Sequence, residues 1–511
     1  MRQALYIDHW RSGSARSRDT ASPLLRPGVN CWRIDQSPRA ATIIDGAAYF
    51  RHLEDALRQA RRSIWIIGWD FDGSIRLSDD PDALPLGPLL RDCVETNPQL
   101  EIRVLVWSLA LVHAPSPVMP LLFGEPWQEH RRITVKLDTQ HPIYAAHHQK
   151  IVVIDDSLAF AGGIDLTGGR GDTRCHHAHE PLRAKPDGTP SEPVHDVQMA
   201  VTGQAAASLG AVARERWAIA TATPVPPSAP HAADGASPWP TGLPVEFAGA
   251  GIAIARTLPR WKSRPPALES KALIQDMLMS AQRHLYIEAQ YVTARYVRAA
   301  LRKVLRRPDG PEIVIILNKM SEALVERIVM GENGARMIRA LRRADRHGRL
   351  RIYYPVVPSE AGEVAIHIHS KLIIADDRLL RIGSANLNNR SVGLDTECDL
   401  AVEASDEAAR ATIASFRNRL VAEHVDATPE IVADTLAETG SLIRTIETLN
   451  QQPRGLRAFP ATPGPAHFVA GTRFLDPEAP FEPGWLLRFR PYRRHPGAWR
   501  AIPSPRASRI R

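Results

Sequence analysis

HHQKIVVIDDSLAFAGGIDL, His147–Leu166, and HIHSKLIIADDRLLRIGSANL, His367–Leu387, are one pattern written twice, with His148 superposing on His369 at an offset of 221 residues. Upstream, AYFRHLEDALRQARRSIWIIGWD (Ala48–Asp70) and ALIQDMLMSAQRHLYIEAQY (Ala272–Tyr291) each run an amphipathic helix pattern into an apolar, β-rich strand, and Ala60 falls on Ala281 at the same offset. Leu100–Trp107 and Pro311–Asn318 read as further equivalent strands with a local register difference. Downstream, HDVQMAV (His195–Val201) matches TECDLAV (Thr396–Val402) and sets Asp196 against Glu397. The offset there falls to 201, so the first copy carries about 20 extra residues within Gly168–Gly188. The predicted fold is therefore α/β, with two similar lobes repeated along the chain. Expected boundaries are an N-terminal extension over 1–40, lobes over 41–222 and 243–425, a Pro-rich linker over 223–242, and a helical segment with a basic tail over 426–511.

The whole chain, at 511 residues, 44% hydrophobic and 23% charged, has the composition of a globular protein and excludes a disordered or collagen-like one. Four cysteines are too few for a disulfide framework. No apolar run reaches the ~18–20 residues needed to span a bilayer, and the first residues lack a secretory apolar stretch. The expectation is a cytoplasmic or peripheral membrane protein, with export, if any, by a route other than Sec. Net charge is +8, and Gln451–Arg511 alone holds 11 arginines against 3 acids. Such a surface suits phosphate-bearing partners. In that tail Trp485, Phe489, Tyr492 and Trp499 interleave with arginines, as at an anionic membrane interface or in a solvated tail.

Each copy spells His148-x-Lys150-x4-Asp155 then Gly162-Gly163-x-Asp165, and His369-x-Lys371-x4-Asp376 then Gly383-Ser384-x-Asn386. Positions i and i+2 of a strand share a face, so each His/Lys pair points to one place. An imidazole beside an ammonium, with a small turn whose amides can approach an oxyanion, makes a phosphate cradle. Asp155 and Asp376 complete the motifs but lie off the His/Lys face, and read as structural or orienting. Two such halves facing each other present two histidines to one phosphorus.

The doubled HxKx4Dx6G[GS] element resembles the signature of the phospholipase D superfamily. GVNCWRI, GWDFD, GGIDLTGGRGDT, IEAQY and GSANLNNRS bring it nearer the phosphatidylcholine-cleaving, eukaryotic-type branch. The resemblance implies two phospholipase D-like α-β-α lobes with mixed central sheets, related by a pseudo-twofold with the active site at their interface, and hydrolysis of phosphatidylcholine or a similar phospholipid to phosphatidate plus free headgroup through a phosphohistidine. Transfer to a small alcohol should accompany hydrolysis. It makes His148 the nucleophile and His369 the general acid/base, an order the near-symmetric sequence does not itself fix. It places Lys150, Lys371, Asn386, Asp165 and Ser384 around the phosphoryl oxygens, and Asp196 and Glu397 as carboxylates orienting the imidazoles. No cofactor and no metal are called for by this chemistry.

The implied partners are a phospholipid surface and water or a small alcohol, with nucleic acid disfavoured and a monomer expected. A cardiolipin-synthase-like transferase, a nuclease and a silent anion-binding scaffold are the rival readings. CHHAHE (Cys175–Glu180) has zinc-site composition but no evident second ligand pair, and reads as loop. The Gly168–Gly188 insertion is a candidate gate over the headgroup. Trp65 and Trp69 read as core packing.

Overall fold

The computed structural model describes residues 23–80, 82–108, 123–228, 238–319, 332–460, 464–467 and 476–481. Trp485, Phe489, Tyr492 and Trp499 of the basic tail, with the arginines between them, lie outside them. The first lobe contributes β1 (Arg33–Ile44), β2 (Ser63–Gly68), β3 (Glu101–Trp107), β4 (Ile133–Asp138), β5 (Ile151–Ile154), β6 (Leu158–Gly162) and β7 (Val197–Thr202). The second contributes β8 (Phe247–Leu258), β9 (His284–Ala289), β10 (Glu312–Leu317), β11 (Leu350–Ser359), β12 (Lys371–Ala375), β13 (Leu379–Gly383) and β14 (Glu397–Glu403).

Backbone pairing orders the first set β4-β3-β2-β5-β6-β7-β1. The second runs β11-β10-β9-β12-β13-β14-β8, the same order shifted by seven strands. The outer three strands of each set are parallel and the rest antiparallel. At the centre β1 and β8 pair antiparallel, from Arg33 opposite Ile254 to Ala40 opposite Phe247, and fuse the halves into one continuous mixed sheet. β1 thus begins at Arg33, inside the stretch expected to precede the first lobe, because this strand is the seam between the lobes.

Alternation along the strands sends side chains to both faces, and both are covered by helices. Ile64 and Ile66 of β2 pack with Tyr49, Phe50, Leu53 and Leu57 of helix Gly46–Gln59. Trp65 and Ile67 face the other way, into a core shared by both lobes that includes Leu209 and Trp217 of helix Gly203–Thr221 and Phe416 and Leu420 of helix Glu407–His424. Trp65 stacks edge-on against Trp217 at 5.7 Å, so its core reading holds. Burial of each such side chain is worth roughly 1.5–3 kcal/mol.

Past Gln451 the chain is not irregular throughout. Gly455–Ala458 pairs antiparallel with β11, and Asp476 is buried, accepting hydrogen bonds from Asn389 Nδ2 (2.7 Å) and Arg390 N (2.9 Å). No described helix is long and apolar enough to cross a membrane.

Candidate active site

Each motif begins as a segment entering a buried strand and ends at a tight hairpin turn with three residues between the paired strands. Asp155 and Asp156 have φ of 54° and 52°, Asp376 and Asp377 55° and 53°. Two consecutive left-handed residues are what a tight hairpin of the right twist requires, and Asp tolerates them. Asp155 also accepts from the amides of Arg61 (2.9 Å), Arg62 (2.7 Å) and Ser63 (2.8 Å) at the start of β2. Asp376 does the same for Gln282, Arg283 and His284 at the start of β9. These two motif carboxylates, read above as structural or orienting, thus tie each motif's turn to the amides at the start of the neighbouring strand.

The histidines are positioned across the lobe boundary. His148 N donates to Thr396 O (3.0 Å), and His147 bridges Thr396 in parallel fashion. His367–Ile368 pairs in parallel with Val194–His195, and His369 N donates to His195 O (2.8 Å). The result is an exchange of carboxylates: His148 Nδ1 lies 2.9 Å from Glu397 Oε2 of the second lobe, and His369 Nδ1 lies 2.6 Å from Asp196 Oδ2 of the first. With Nδ1 held by a carboxylate in both rings, Nε2 is the nitrogen left for chemistry.

The carboxylates are fixed in turn. Glu397 accepts from Ser384 Oγ (2.6 Å) and Ser391 Oγ (2.7 Å), and Asp196 from Val197 N (2.8 Å). Ser384, expected near the phosphoryl oxygens, instead spends its proton on Glu397 because the Gly383-Ser384 turn lies against β14. Its counterpart Gly163 has no room for a side chain, since a Cβ there would sit 2.1 Å from Asp196 Oδ1.

Asp165 likewise has partners within the protein. It lies 3.0 Å from Lys150 Nζ and accepts from Trp69 N (2.9 Å), so an opposite charge and a backbone amide compensate its buried carboxylate. Lys150 Nζ also reaches His148 O at 3.1 Å. Lys371 Nζ donates to His369 O. Asn386 is buried and its Oδ1 accepts no hydrogen bond.

Burial dominates the electrostatics. Both imidazoles are held well below the ordinary histidine value, first by desolvation and then by nearby cations: Lys150 and Lys371 act on His148, and Lys371, Arg170 and Lys150 on His369. Each lysine acts on both rings, as it must if the half-sites form one centre. Desolvation brings Lys371 down to about 7 and pushes Glu397 up to about 7. Asp196 is raised for the same reason. Burial thus favours neutral imidazoles beside a cation.

Sequence reasoning missed several neighbours. Arg170, in the quoted GGIDLTGGRGDT, is a third cation acting on His369, Lys371 and Asp196. His367 stacks on His369 at 6.1 Å. Asp395 takes the amide of Ala146 (2.7 Å) and the guanidinium of Arg390 (2.8 Å), bracing the segment before His148. The doubled histidines in HIHSK and the arginine between paired glycines were the available signals. The Gly168–Gly188 insertion, read as a gate, has an anchored middle: Asp172, His176 and Arg183 are buried, and Arg183 Nη1 lies 2.6 Å from Asp172 Oδ1. Of CHHAHE, Cys175 is exposed and His176 is fully enclosed.

Residues 56–228 match the phospholipase D family, and residues 274–420 match the family described as cardiolipin synthase, phospholipase D-like domain. Phospholipase D A of Dictyostelium discoideum is 23% identical over 76% of this chain and 36% of its own length. Phospholipase D2 of Bos taurus is 25% identical over 72% of this chain and 50% of its own. The chain thus spans half or less of the length of these relatives. Phosphatidylserine synthase of Haemophilus influenzae, 14% identical, overlays 81% of this chain and 95% of its own with a TM-score of 0.54, a likeness of fold. Both lobes carry the domain and both motifs are whole: the chain belongs to the phospholipase D superfamily.

Proposed function

We propose that the chain is a phosphodiesterase of the phospholipase D type that hydrolyses a phospholipid such as phosphatidylcholine to phosphatidate and the free headgroup. The observation that carries this is the exchange of carboxylates, which aims one imidazole from each lobe at a common centre flanked by two lysines.

His148 Nε2 attacks phosphorus, and the P–O bond to the headgroup alcohol breaks as His369 gives that oxygen its proton. Water then attacks the phosphohistidine, His369 takes a water proton, and the P–N bond breaks to release phosphatidate. The anionic phosphodiester, entering between the imidazoles, favours a proton on His369, which becomes the acid, while His148 attacks as the neutral ring. Lys150, Lys371, Arg170 and Asn386 face the phosphoryl oxygens, and Glu397 and Asp196 stabilise each imidazolium as it forms. Another alcohol in place of water gives the transphosphatidylation product. Ile143 and Tyr144, 79% and 66% exposed just before His148, offer an apolar lip to a lipid surface.

A second reading, phosphatidyl transfer as in a cardiolipin synthase, is favoured by the family matched over residues 274–420. One experiment separates them: mixed phospholipid vesicles with 1-butanol, products identified by mass spectrometry. The proposal expects phosphatidate and phosphatidylbutanol from the wild type and neither from His148→Ala or His369→Ala. Cardiolipin as the dominant product from phosphatidylglycerol would replace it with the transferase, and turnover surviving both substitutions would sink both.

A further inference from the structure

Away from the reacting imidazoles, a second set of charged side chains lies buried between the lobes. Asp45, His176, His195 and Glu423 each offer a ligand atom, and these atoms lie within 4.8 Å of one another. All four residues are at most 1% exposed. They come from four places: the turn after β1, the inserted loop, the short strand Val194–His195, and the end of helix Glu407–His424.

Their mutual contacts do not use up their bonding capacity. His195 Nδ1 is 2.7 Å from Glu423 Oε1 and 3.1 Å from Asp45 Oδ1, yet it makes no aligned hydrogen bond to either. His176 Nε2 is 3.1 Å from Glu423 Oε1 and 3.7 Å from Asp45 Oδ2. Neither oxygen of Asp45 receives a hydrogen bond, and Glu423 Oε2 has none. Four donors at 2.0–2.1 Å from a tetrahedral ion stand about 3.3 Å apart, within the spread seen here.

Two further features fit an ion. Asp45 immediately precedes helix Gly46–Gln59 but does not cap it; its backbone is held at φ 66°, ψ 158°, a region costly for any side chain, with the carboxylate turned into the cluster. The far nitrogen of each histidine is taken by a carboxylate: His176 Nδ1 by Asp172 Oδ2 (3.0 Å) and His195 Nε2 by Glu288 Oε2 (2.9 Å). Those carboxylates are themselves held, Asp172 by Arg183 and the amide of Val194 (2.7 Å), Glu288 by Tyr286 Oη (2.6 Å), Ser370 Oγ (2.8 Å) and His424 Nε2 (3.0 Å). A ligating imidazole backed by an anchored carboxylate is the usual outer shell of a protein metal site.

We propose that Asp45, His176, His195 and Glu423 form a closed structural site for a divalent transition metal, with Zn²⁺ the ion best matched to two imidazoles and two carboxylates. The ion clamps the inserted loop and the first lobe to the helix that follows the second. It also steadies His195, whose neighbour Asp196 orients His369.

The test uses the full chain made without a histidine tag, loaded with Zn²⁺, dialysed, and analysed for metal. We expect about one zinc per chain, resistant to dialysis, with X-ray absorption giving a shell of nitrogen and oxygen only at ~2.0–2.1 Å. Chelation lowers the melting temperature and zinc restores it. The isosteric variants Asp45→Asn and Glu423→Gln lose the metal, and Asp172→Asn, which backs His176 without supplying a ligand atom, binds zinc roughly 10–100-fold more weakly. A folded wild type that retains no zinc overturns the proposal. So does a sulfur shell near ~2.3 Å, which would put the ion on Cys175. Retention undiminished in both ligand variants does the same. Should those variants fail to fold, the wild-type stoichiometry and absorption spectrum decide alone.

Discussion

The two half-sites share their geometry and differ in their charge. In the first lobe Lys150 is neutralised at 3.0 Å by Asp165; in the second Asn386 stands where Asp165 does, and among the described residues no carboxylate comes within ion-pair range of Lys371. In the second lobe two serine hydroxyls brace Glu397; in the first Gly163 occupies the place of Ser384, and the bonds given to Asp196 come from a backbone amide and His369. A duplicated framework has thus kept the positions of its histidines while assigning the free cation to one side and the hydroxyl-braced carboxylate to the other. In the reaction proposed above, this difference is what would distinguish two chemically identical imidazoles.

The largest effect should come from the imidazoles themselves. Removing either costs on the order of 10³–10⁴ in turnover of a phospholipid. With a p-nitrophenyl phosphodiester, whose leaving group needs no proton, His369→Ala should regain its first step and accumulate phosphohistidine, while His148→Ala stays inactive. Rapid-quench detection of the phosphorylated protein reads this out. Recovery by His148→Ala would reverse the assignment.

Next come the lysines, which should part company in stability. Lys150→Met strands the buried Asp165 without its cation, a loss of about 3 kcal/mol, and Lys150→Met with Asp165→Asn should recover most of it. Lys371→Met removes a desolvated cation with no carboxylate paired to it, and should leave stability near the wild-type value while abolishing phosphodiester turnover. Urea unfolding measures both. Equal destabilisation by the two would erase the distinction between the half-sites.

Most of this was legible in the chain and some was not. The fold could be read because a repeat at a fixed offset, carrying alternating apolar strands, leaves few architectures open. The half-sites could be read because i, i+2 spacing fixes a shared face. The exchange of carboxylates could not, since TECDL and HDVQM say nothing about which lobe's histidine they will meet; that depends on the parallel pairings at His147–Thr396 and Ile368–His195. The partners of Ser384 and Asp165 could not be read either, because adjacency in sequence to a turn does not disclose which partner claims a polar atom first. The buried cluster escaped because its members are scattered from Asp45 to Glu423, and because His195 and Asp196, neighbours on a strand, point to opposite sides and serve different sites. Glu288 within the wholly buried β9 was the one local sign that a charge had been paired inside.

Ser384→Ala tests the bracing of Glu397 at a smaller scale. Losing one charge-assisted hydrogen bond costs roughly 1.5–3 kcal/mol, so turnover should fall at least tenfold with the fold intact. Because the Ser384 hydroxyl lowers the Glu397 value, its loss should also move that carboxyl above about 7. The equivalent change in the first lobe, Gly163→Ala, should instead distort the site sterically, since its Cβ meets Asp196.

The subtlest contrast is the shape of the pH profile of kcat/KM, which reports the free protein. Glu397 must be ionised to hold His148 through Nδ1, and with a value near 7 it becomes so as pH rises through neutrality. Lys371 must be protonated to draw the phosphodiester, and with a value also near 7 it loses that proton over the same interval. The acid limb therefore belongs to Glu397 and the alkaline limb to Lys371, and their overlap gives a narrow bell centred near pH 7. In Lys371→Arg the guanidinium stays charged throughout, so the alkaline limb should vanish and the acid limb remain. Ser384→Ala should shift the acid limb upward and leave the alkaline one where it was. A Lys371→Arg profile that still falls above neutrality would show that another group, not the unpaired cation of the second lobe, governs the alkaline side, and the charge asymmetry between the half-sites would lose its functional meaning.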